Sequence, residues 1–113
     1  MKRGEVWLIN LDPTIGSEIK KTRPAIIVND DRLGKLPLKI IVPLTDWKEH
    51  YAIAPWMVRI IPTLPNGLTK ESSADCFQLR SVSEMRFVRK LGRVNESELS
   101  GIERAMAVVL QIS

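Results

Sequence analysis

Six short runs of strand-forming residues constrain the fold of this 113-residue chain more than any other feature. They span residues 5–11, 24–29, 38–45, 56–61, 73–80 and 87–94, with turn signals such as Asp12-Pro13 between them. The periodicity changes only at the C terminus, where apolar residues recur at helical spacing and Asn95 precedes Glu98 in a capping-box pattern. Because no helix of crossover length separates the strands, we predict a mostly antiparallel sheet or small barrel closed by one amphipathic helix.

Two of the predicted strands contain residues that strand interiors rarely hold. Pro43 indicates a sheet edge or a strand terminus, because proline donates no hydrogen bond to a ladder. Asp75 and Gln78 place polar groups inside the fifth run. The stretch 14–23 has no periodicity and predicts a long loop, and residues 46–55 predict a connecting loop.

Length and composition predict one globular domain that spans residues 1–113. Hydrophobic residues make up 44% and charged residues 27% of the chain, which is the usual balance for such a domain. No apolar run approaches the roughly 20 residues that cross a bilayer, and no apolar segment suited to a signal peptide follows the basic N terminus. We therefore expect a cytoplasmic protein.

The cysteine and histidine content limits the chemistry of any active site. Cys76 and His50 are each the only residue of their kind, so no internal disulfide and no cysteine-based zinc site can form. The carboxylates are scattered along the chain, and we expect neither a metal nor another cofactor. A single histidine also excludes RNA cleavage by a histidine pair.

The charge distribution favours an anionic partner. The net charge is +4, and residues 80–93 contain five basic residues against one acidic residue, Glu84. Nucleic acid is the commonest partner of a small basic domain. A solvated basic surface with no such partner explains the charge equally well.

Several motifs in order resemble the MazF/PemK family of toxins. The main ones are KRGEVW at residues 2–7, DPTIGSE at 12–18, TRPAIIV at 22–28 and VPLT at 42–45. Weaker agreement continues through 67–68, 75–80 and 91–94, so the resemblance covers nearly the whole chain. It implies an SH3-like antiparallel barrel of the CcdB/PemK type with a closing helix.

The resemblance also implies a function and partners. It implies a toxin of a type II toxin–antitoxin system: a homodimeric, metal-independent endoribonuclease that cuts single-stranded mRNA at short sequence motifs. The cuts would leave 2′,3′-cyclic phosphate and 5′-hydroxyl ends. A cognate antitoxin would cover the RNA groove and bind DNA together with the toxin.

Arg23 and Thr45 are the catalytic residues that the resemblance implies. The Arg23 guanidinium would stabilise charge on the reacting phosphate, a contribution on the order of 3 kcal/mol for a well-placed donor. Thr45 would donate a hydrogen bond to the same phosphate. Glu18 and Asp75 are supporting candidates that would orient the arginine or accept the 2′-proton. Each side chain also has a purely structural interpretation, for instance Thr45 as the end of a strand.

Five further residues are candidates for binding RNA. Ser17, Lys20 and Lys21 would hold flanking phosphates or bases from the first long loop, and Gln78 and Arg80 would read base edges. Residues 19–22 read Ile-Lys-Lys-Thr, whereas the family is often glycine-rich there. This departure predicts a stiffer and more positively charged loop.

Two other functions remain open for the same fold. CcdB-type proteins resemble this family and poison DNA gyrase by binding it. The Arg23 and Thr45 motifs disfavour that function, because a gyrase binder does not use them. A non-catalytic RNA-binding module would fit the basic charge as well as an enzyme does.

Overall fold

A computed structural model describes residues 1–112 of the chain, with seven strands and one α-helix. The strands are β1 (Glu5–Asn10), β2 (Thr22–Ile27), β3 (Leu38–Asp46), β4 (Met57–Ile60), β5 (Ser72–Asp75), β6 (Arg80–Ser83) and β7 (Phe87–Arg93). The helix α1 spans Glu96–Leu110. Short 3-10 helices occupy Asp31–Leu33, Glu49–Ile53, Cys76–Gln78 and Glu84–Arg86.

All strand pairs are antiparallel, as the sequence predicted. The order is β4-β5-β3-β2-β1-β7, and β6 pairs with the first half of β3. The mainly β class with one C-terminal helix is confirmed. Within residues 1–112, β4 and β7 end the path without pairing with each other, so the sheet is open rather than a fully closed barrel.

The predicted strand 73–80 is wrong as a single element. Strand β5 ends at Asp75, whose carboxylate accepts a hydrogen bond from the backbone N–H of Phe77 at 3.1 Å and caps a 3-10 helix. The chain becomes extended again at Arg80. Aspartate side chains compete with ladder hydrogen bonds in this way, which explains why a polar residue stands where strand propensity predicted continuity. The expected loop 46–55 likewise contains the short helix Glu49–Ile53.

Pro43 lies in a central strand, and the expected sheet edge is wrong. One side of β3 pairs with β2, and the other side pairs first with β6 over residues 38–41 and then with β5 over residues 44–46. Pro43 falls in the gap between the β6 and β5 ladders, where the missing N–H of proline costs no ladder hydrogen bond. A proline is therefore tolerated in the middle of this sheet.

Apolar side chains of alternating strand residues pack on both faces of the sheet. On β2, Ile26 joins the cluster that α1 covers, whereas Ala25 and Ile27 join the cluster on the opposite face. The helix contributes Ile102 and Ala105 to the first cluster. No helix within the described residues is long and apolar enough to cross a membrane.

The capping box predicted at the start of α1 is confirmed. The Glu98 N–H donates to Oδ1 of Asn95 at 2.7 Å, and the Asn95 N–H donates to Oε1 of Glu98 at 2.9 Å. These two hydrogen bonds satisfy backbone donors that a helix start leaves without partners. The helix therefore begins directly after Asn95.

Two glycines allow a turn and a strand to touch backbone to backbone. A side chain on Gly92 of β7 would place its Cβ 2.1 Å from the carbonyl oxygen of Pro65. Gly67 has a φ of +68°, and a Cβ there would lie 2.0 Å from the carbonyl oxygen of Leu91. The side chain of the buried Asn66 stabilises the same turn by accepting hydrogen bonds from the N–H groups of residues 63 and 68.

We expect Gly92→Ala to destabilise the protein by about 3 kcal/mol, because backbone atoms must move to admit the methyl group. Gly101→Ala is the matched control. Its Cβ would meet Val58 at an ordinary 3.5 Å, and alanine in a helix interior is favoured by about 1 kcal/mol. Denaturant unfolding at one protein concentration measures the free energy of unfolding of both variants. Equal stabilities would contradict the close backbone approach at Gly92.

Glu5 is a buried carboxylate that ties β1 to β7. It accepts hydrogen bonds from Nε1 of Trp7 at 2.9 Å and from the Lys2 N–H at 3.0 Å, and pairs with Nζ of Lys90 at 3.1 Å. Burial on its own raises the pKa of Glu5, but the three donors together outweigh it and lower the pKa to about 2.

Because the folded pKa lies below the unfolded value of 4.5, Glu5 stabilises the fold above that value and loses this contribution as the pH falls toward 2. The contribution at neutral pH amounts to about 3 kcal/mol. We expect Glu5→Gln to be less stable at pH 7 and to approach the parent chain in acid. The test is to measure the free energy of unfolding of both proteins between pH 2 and pH 7. A constant difference between them over this range would contradict the expectation.

Candidate functional site

A groove of about 420 Å³ opens where the β2–β3 ladder ends. The last ladder pair is Ala25 with Pro43. Two residues further along each strand, the same register places Arg23 opposite Thr45 and on one face of the sheet. Both residues line the groove. The structure thus brings together the two residues that the sequence motifs singled out.

The backbone of the preceding loop positions the Arg23 side chain. Its Nε donates to the carbonyl oxygen of Lys20 at 3.0 Å. Lys21 adopts a left-handed φ of 73°, which turns the chain between the two residues, and its N–H donates to Oδ1 of Asp12 at 3.1 Å. None of the ion pairs in the described part of the chain involves Arg23. Its terminal nitrogens therefore carry a charge that no carboxylate neutralises directly.

The carboxylate that lines the groove with this arginine already has another partner. Asp46 follows Thr45 in the groove and pairs with Nζ of Lys70 at 2.9 Å. The hydrogen bond from Lys70 is the main reason that the pKa of Asp46 is lowered, and the charge of Arg23 contributes less. Asp46 therefore stays ionised but leaves much of the positive potential of the groove intact.

A second cleft of about 460 Å³ lies on the other side of the β1–β2 loop and is lined by Ser17, Glu18, Gln78 and Arg80. Gln78 holds the loop here: its Oε1 accepts from the Ile19 N–H at 2.6 Å, and its Nε2 donates to the Ser17 carbonyl at 3.0 Å. The Arg80 guanidinium donates to the Leu11 carbonyl at 3.3 Å.

The two acidic candidates are placed apart from Arg23. Glu18 accepts a hydrogen bond from the backbone N–H of Ile15 at 2.6 Å and forms no ion pair with the arginine. Asp75 is 7% exposed and caps the 3-10 helix after β5. Burial raises the pKa of Asp75, although the backbone N–H groups of Phe77 and Gln78 oppose the rise. In the structure, the carbonyl of Lys20 orients the arginine instead.

Three charged groove residues were not predicted as site residues from the sequence. Asp46, Lys70 and Arg89 line the first groove with Arg23 and Lys21. Asp46 could have been predicted from the sequence, because it directly follows Thr45. Lys70 and Arg89 lie far away in sequence and reach the groove only through the folding of β5 and β7. Lys20 is exposed, lines neither cleft, and contributes its backbone carbonyl.

The composition of the groove suits an anion. Four cationic side chains line it against one carboxylate, and the hydroxyl of Thr45 adds a hydrogen-bond donor. Guanidinium groups bind phosphate oxygens through two parallel hydrogen bonds and remain charged at any working pH. Among residues 1–112, no group of three or more histidine, cysteine or acidic side chains is arranged to hold a metal ion.

Solved structures of other proteins share the fold described above. A MazF crystal structure from Deinococcus radiodurans matches with a TM-score of 0.82 at 20% identity, over 99% of this chain and 97% of that one. A mycobacterial endoribonuclease in complex with its cognate antitoxin matches with a TM-score of 0.78 at 20% identity, over 100% and 97% of the respective chains. These likenesses establish the shared architecture.

Sequence comparison gives the family. Endoribonuclease MazF9 of Mycobacterium tuberculosis is 32% identical over 99% of this chain and 98% of its own length. Endoribonuclease PemK of Escherichia coli is 31% identical over 97% of this chain and 82% of its own. The family model for the PemK-like, MazF-like toxins of type II toxin–antitoxin systems matches residues 2–110. The chain therefore belongs to the PemK-like, MazF-like toxin family.

Proposed function

We propose that the protein is a toxin endoribonuclease that cleaves single-stranded RNA at short sequence motifs without a metal ion. The observation that carries the proposal is Arg23 opposite Thr45 at the end of the β2–β3 ladder, in a groove lined by four cations. Both relatives at 31–32% identity are endoribonucleases, which supports the same activity here.

The chemistry follows from these two side chains. The RNA 2′-hydroxyl attacks the adjacent phosphorus, the bond to the 5′-oxygen breaks, and 2′,3′-cyclic phosphate and 5′-hydroxyl ends result. The terminal nitrogens of Arg23 donate to the phosphate oxygens on which negative charge develops, and the Thr45 hydroxyl donates to the same group. Because the nucleophile belongs to the RNA, DNA is not a substrate.

Proton transfer requires groups other than the arginine, which stays protonated. Asp75 and Glu18 are the proposed supporting carboxylates. Burial raises the pKa of Asp75 above its usual value, which is the direction that favours a carboxylate as a proton acceptor. Glu18 lies on the exposed loop that borders both clefts. Either carboxylate would have to meet the substrate when RNA occupies the grooves.

The two clefts suggest how RNA is held. Lys20, Lys21 and Ser17 lie on or beside the β1–β2 loop, where they would contact flanking phosphates. Gln78 and Arg80 line the second cleft and would read base edges there. Both side chains also bond to backbone carbonyls, so part of their hydrogen-bonding capacity is already used.

The partners are proposed from the family. One solved relative is in complex with its cognate antitoxin, and we propose that an antitoxin likewise neutralises this chain by covering the cationic groove. A homodimer, DNA binding together with the antitoxin, and a cytoplasmic location belong to the same proposal. No feature of the described residues specifically favours gyrase binding.

Arg23→Ala should reduce RNA cleavage by about 100- to 1,000-fold, because it removes the main donor to the developing charge. Thr45→Ala should cost about tenfold and Thr45→Ser much less, since serine keeps the hydroxyl. The assay is cleavage of a long synthetic RNA in EDTA, with chemical mapping of the new ends. Arg104→Ala, which removes an exposed charge on α1, is the control.

Cleavage that stops in EDTA, or that survives Arg23→Ala, would contradict the proposed mechanism. RNA binding without any cleavage would identify a non-catalytic RNA-binding module instead. Toxicity retained by Arg23→Ala in cells would favour a binding toxin of the gyrase-poisoning kind.

Gln78→Ala should loosen the β1–β2 loop, because two hydrogen bonds at 2.6 Å and 3.0 Å hold the loop to this side chain. We expect KM to rise about tenfold with a smaller change in kcat, together with faster proteolysis within residues 14–21. Ser81→Ala, at an exposed position on β6, is the control. Altered cleavage specificity without faster proteolysis would contradict the loop-positioning role and leave base reading as the only proposed role of Gln78.

A further inference from the structure

Two aromatic side chains form an exposed pair that the proposed mechanism does not use. The rings of Trp56 and Phe77 meet edge to face, with centroids 6.2 Å apart and an interplanar angle of 67°. Phe77 is 67% exposed and Trp56 is 38% exposed. By contrast, the edge-to-face pair of Trp7 and Phe87 packs against the buried core. Most of the Phe77 side chain and about a third of the Trp56 side chain are therefore open to solvent.

The pair forms one wall of a cleft that also has polar groups. The cleft has a volume of about 270 Å³, and Asp75 and Gln78 complete its lining. The Asp75 carboxylate and the Gln78 amide each use part of their hydrogen-bonding capacity on backbone groups, and each has further capacity. An aromatic face beside acceptors and a donor is the combination that recognises a nucleobase.

This cleft continues the groove system already described. Phe77 and Gln78 line both the aromatic cleft and the second cleft, which also contains Arg80. The β1–β2 loop, with its lysines, connects the second cleft to the Arg23–Thr45 groove. A single polyanion following these cations would therefore pass close to the exposed rings.

We propose that the Trp56–Phe77 pair stacks against one unpaired base of the RNA strand and so helps to determine where the strand is cut. The inference rests on the proposed function for the identity of the strand. The aromatic cleft itself holds one carboxylate and no cation, so the preference for a nucleic acid comes from the four cations of the Arg23–Thr45 groove at the other end of the path. The polar lining of the cleft favours a base over a purely apolar side chain.

The test is binding of a single-stranded RNA in which every 2′-hydroxyl is replaced by fluorine, so that binding is measured without cleavage. We expect Phe77→Leu and Trp56→Leu each to weaken binding about tenfold, because leucine keeps apolar bulk but removes the stacking face. Phe77→Tyr should retain affinity. Leu64→Ala is the control, because Leu64 is 98% exposed and lies outside the three clefts.

Photocross-linking is a second test, because rings that served only to stabilise the fold would not cross-link to RNA. RNA containing 5-iodouridine should cross-link to Trp56 or Phe77, with the modified residue mapped by mass spectrometry. In active protein, Phe77→Leu should also change the preferred base at one position of the cleavage motif. Unchanged affinity in both leucine variants, or cross-links only elsewhere, would overturn the inference.

The outcomes separate this inference from the proposed function. Cleavage that depends on Arg23, combined with binding that is indifferent to both leucine variants, would refute the stacking role alone. Tenfold weaker binding in a protein that never cleaves RNA would support stacking while refuting the nuclease. Leucine variants that lose self-association but keep their affinity for RNA would assign the rings to a contact between two copies of the chain, and would overturn the inference.

Discussion

The early end of the β2–β3 ladder is the constraint on which the proposed site depends. Pro24 lies at this point and cannot donate the backbone hydrogen bond that would continue the ladder. β3 nevertheless continues to Asp46, because β5 pairs with its other side over residues 44–46. Strand β3 therefore stays rigid while β2 is released from it, and the groove opens between them. Arg23 and Thr45 remain in register across the opening, each attached to regular structure.

The break between β5 and β6 has a comparable role at the second cleft. A continuous strand over 73–80 would have alternated its side chains between the two faces of the sheet. The Asp75 cap instead turns the chain into a 3-10 helix, and Phe77 and Gln78 then line the same cleft. From that position Gln78 reaches the backbone of the β1–β2 loop, 59 residues away in sequence at Ile19. One local departure from strand geometry thus couples the loop to the sheet.

Local patterns predicted the elements of this fold better than their connections. The runs of β-branched residues predicted five of the strand positions, and Asn95 with Glu98 predicted the helix start. The unpaired ends of the sheet and the partners of β3 depend on contacts between distant segments, which periodicity does not encode. At the site, the family motifs predicted Arg23 and Thr45. Lys70 and Arg89 became visible as groove residues only when folding placed them beside Arg23.

The phosphate-binding cations and the exposed Phe77 lie in different clefts, and a groove that binds only phosphate cannot distinguish one base from another. The guanidinium and ammonium groups of the Arg23–Thr45 groove are placed to bind phosphate, which is identical at every nucleotide, so they supply affinity and charge stabilisation without sequence preference. An endonuclease that cuts at a motif must therefore contact bases outside its phosphate groove. The 3-10 helix Cys76–Gln78 is suited to that task, because its exposed Phe77 can change without disturbing a ladder or the buried core. Arg23 and Thr45, by contrast, are positioned by the ends of two strands. This separation would let related proteins change the sequence they cut while they keep the same chemistry.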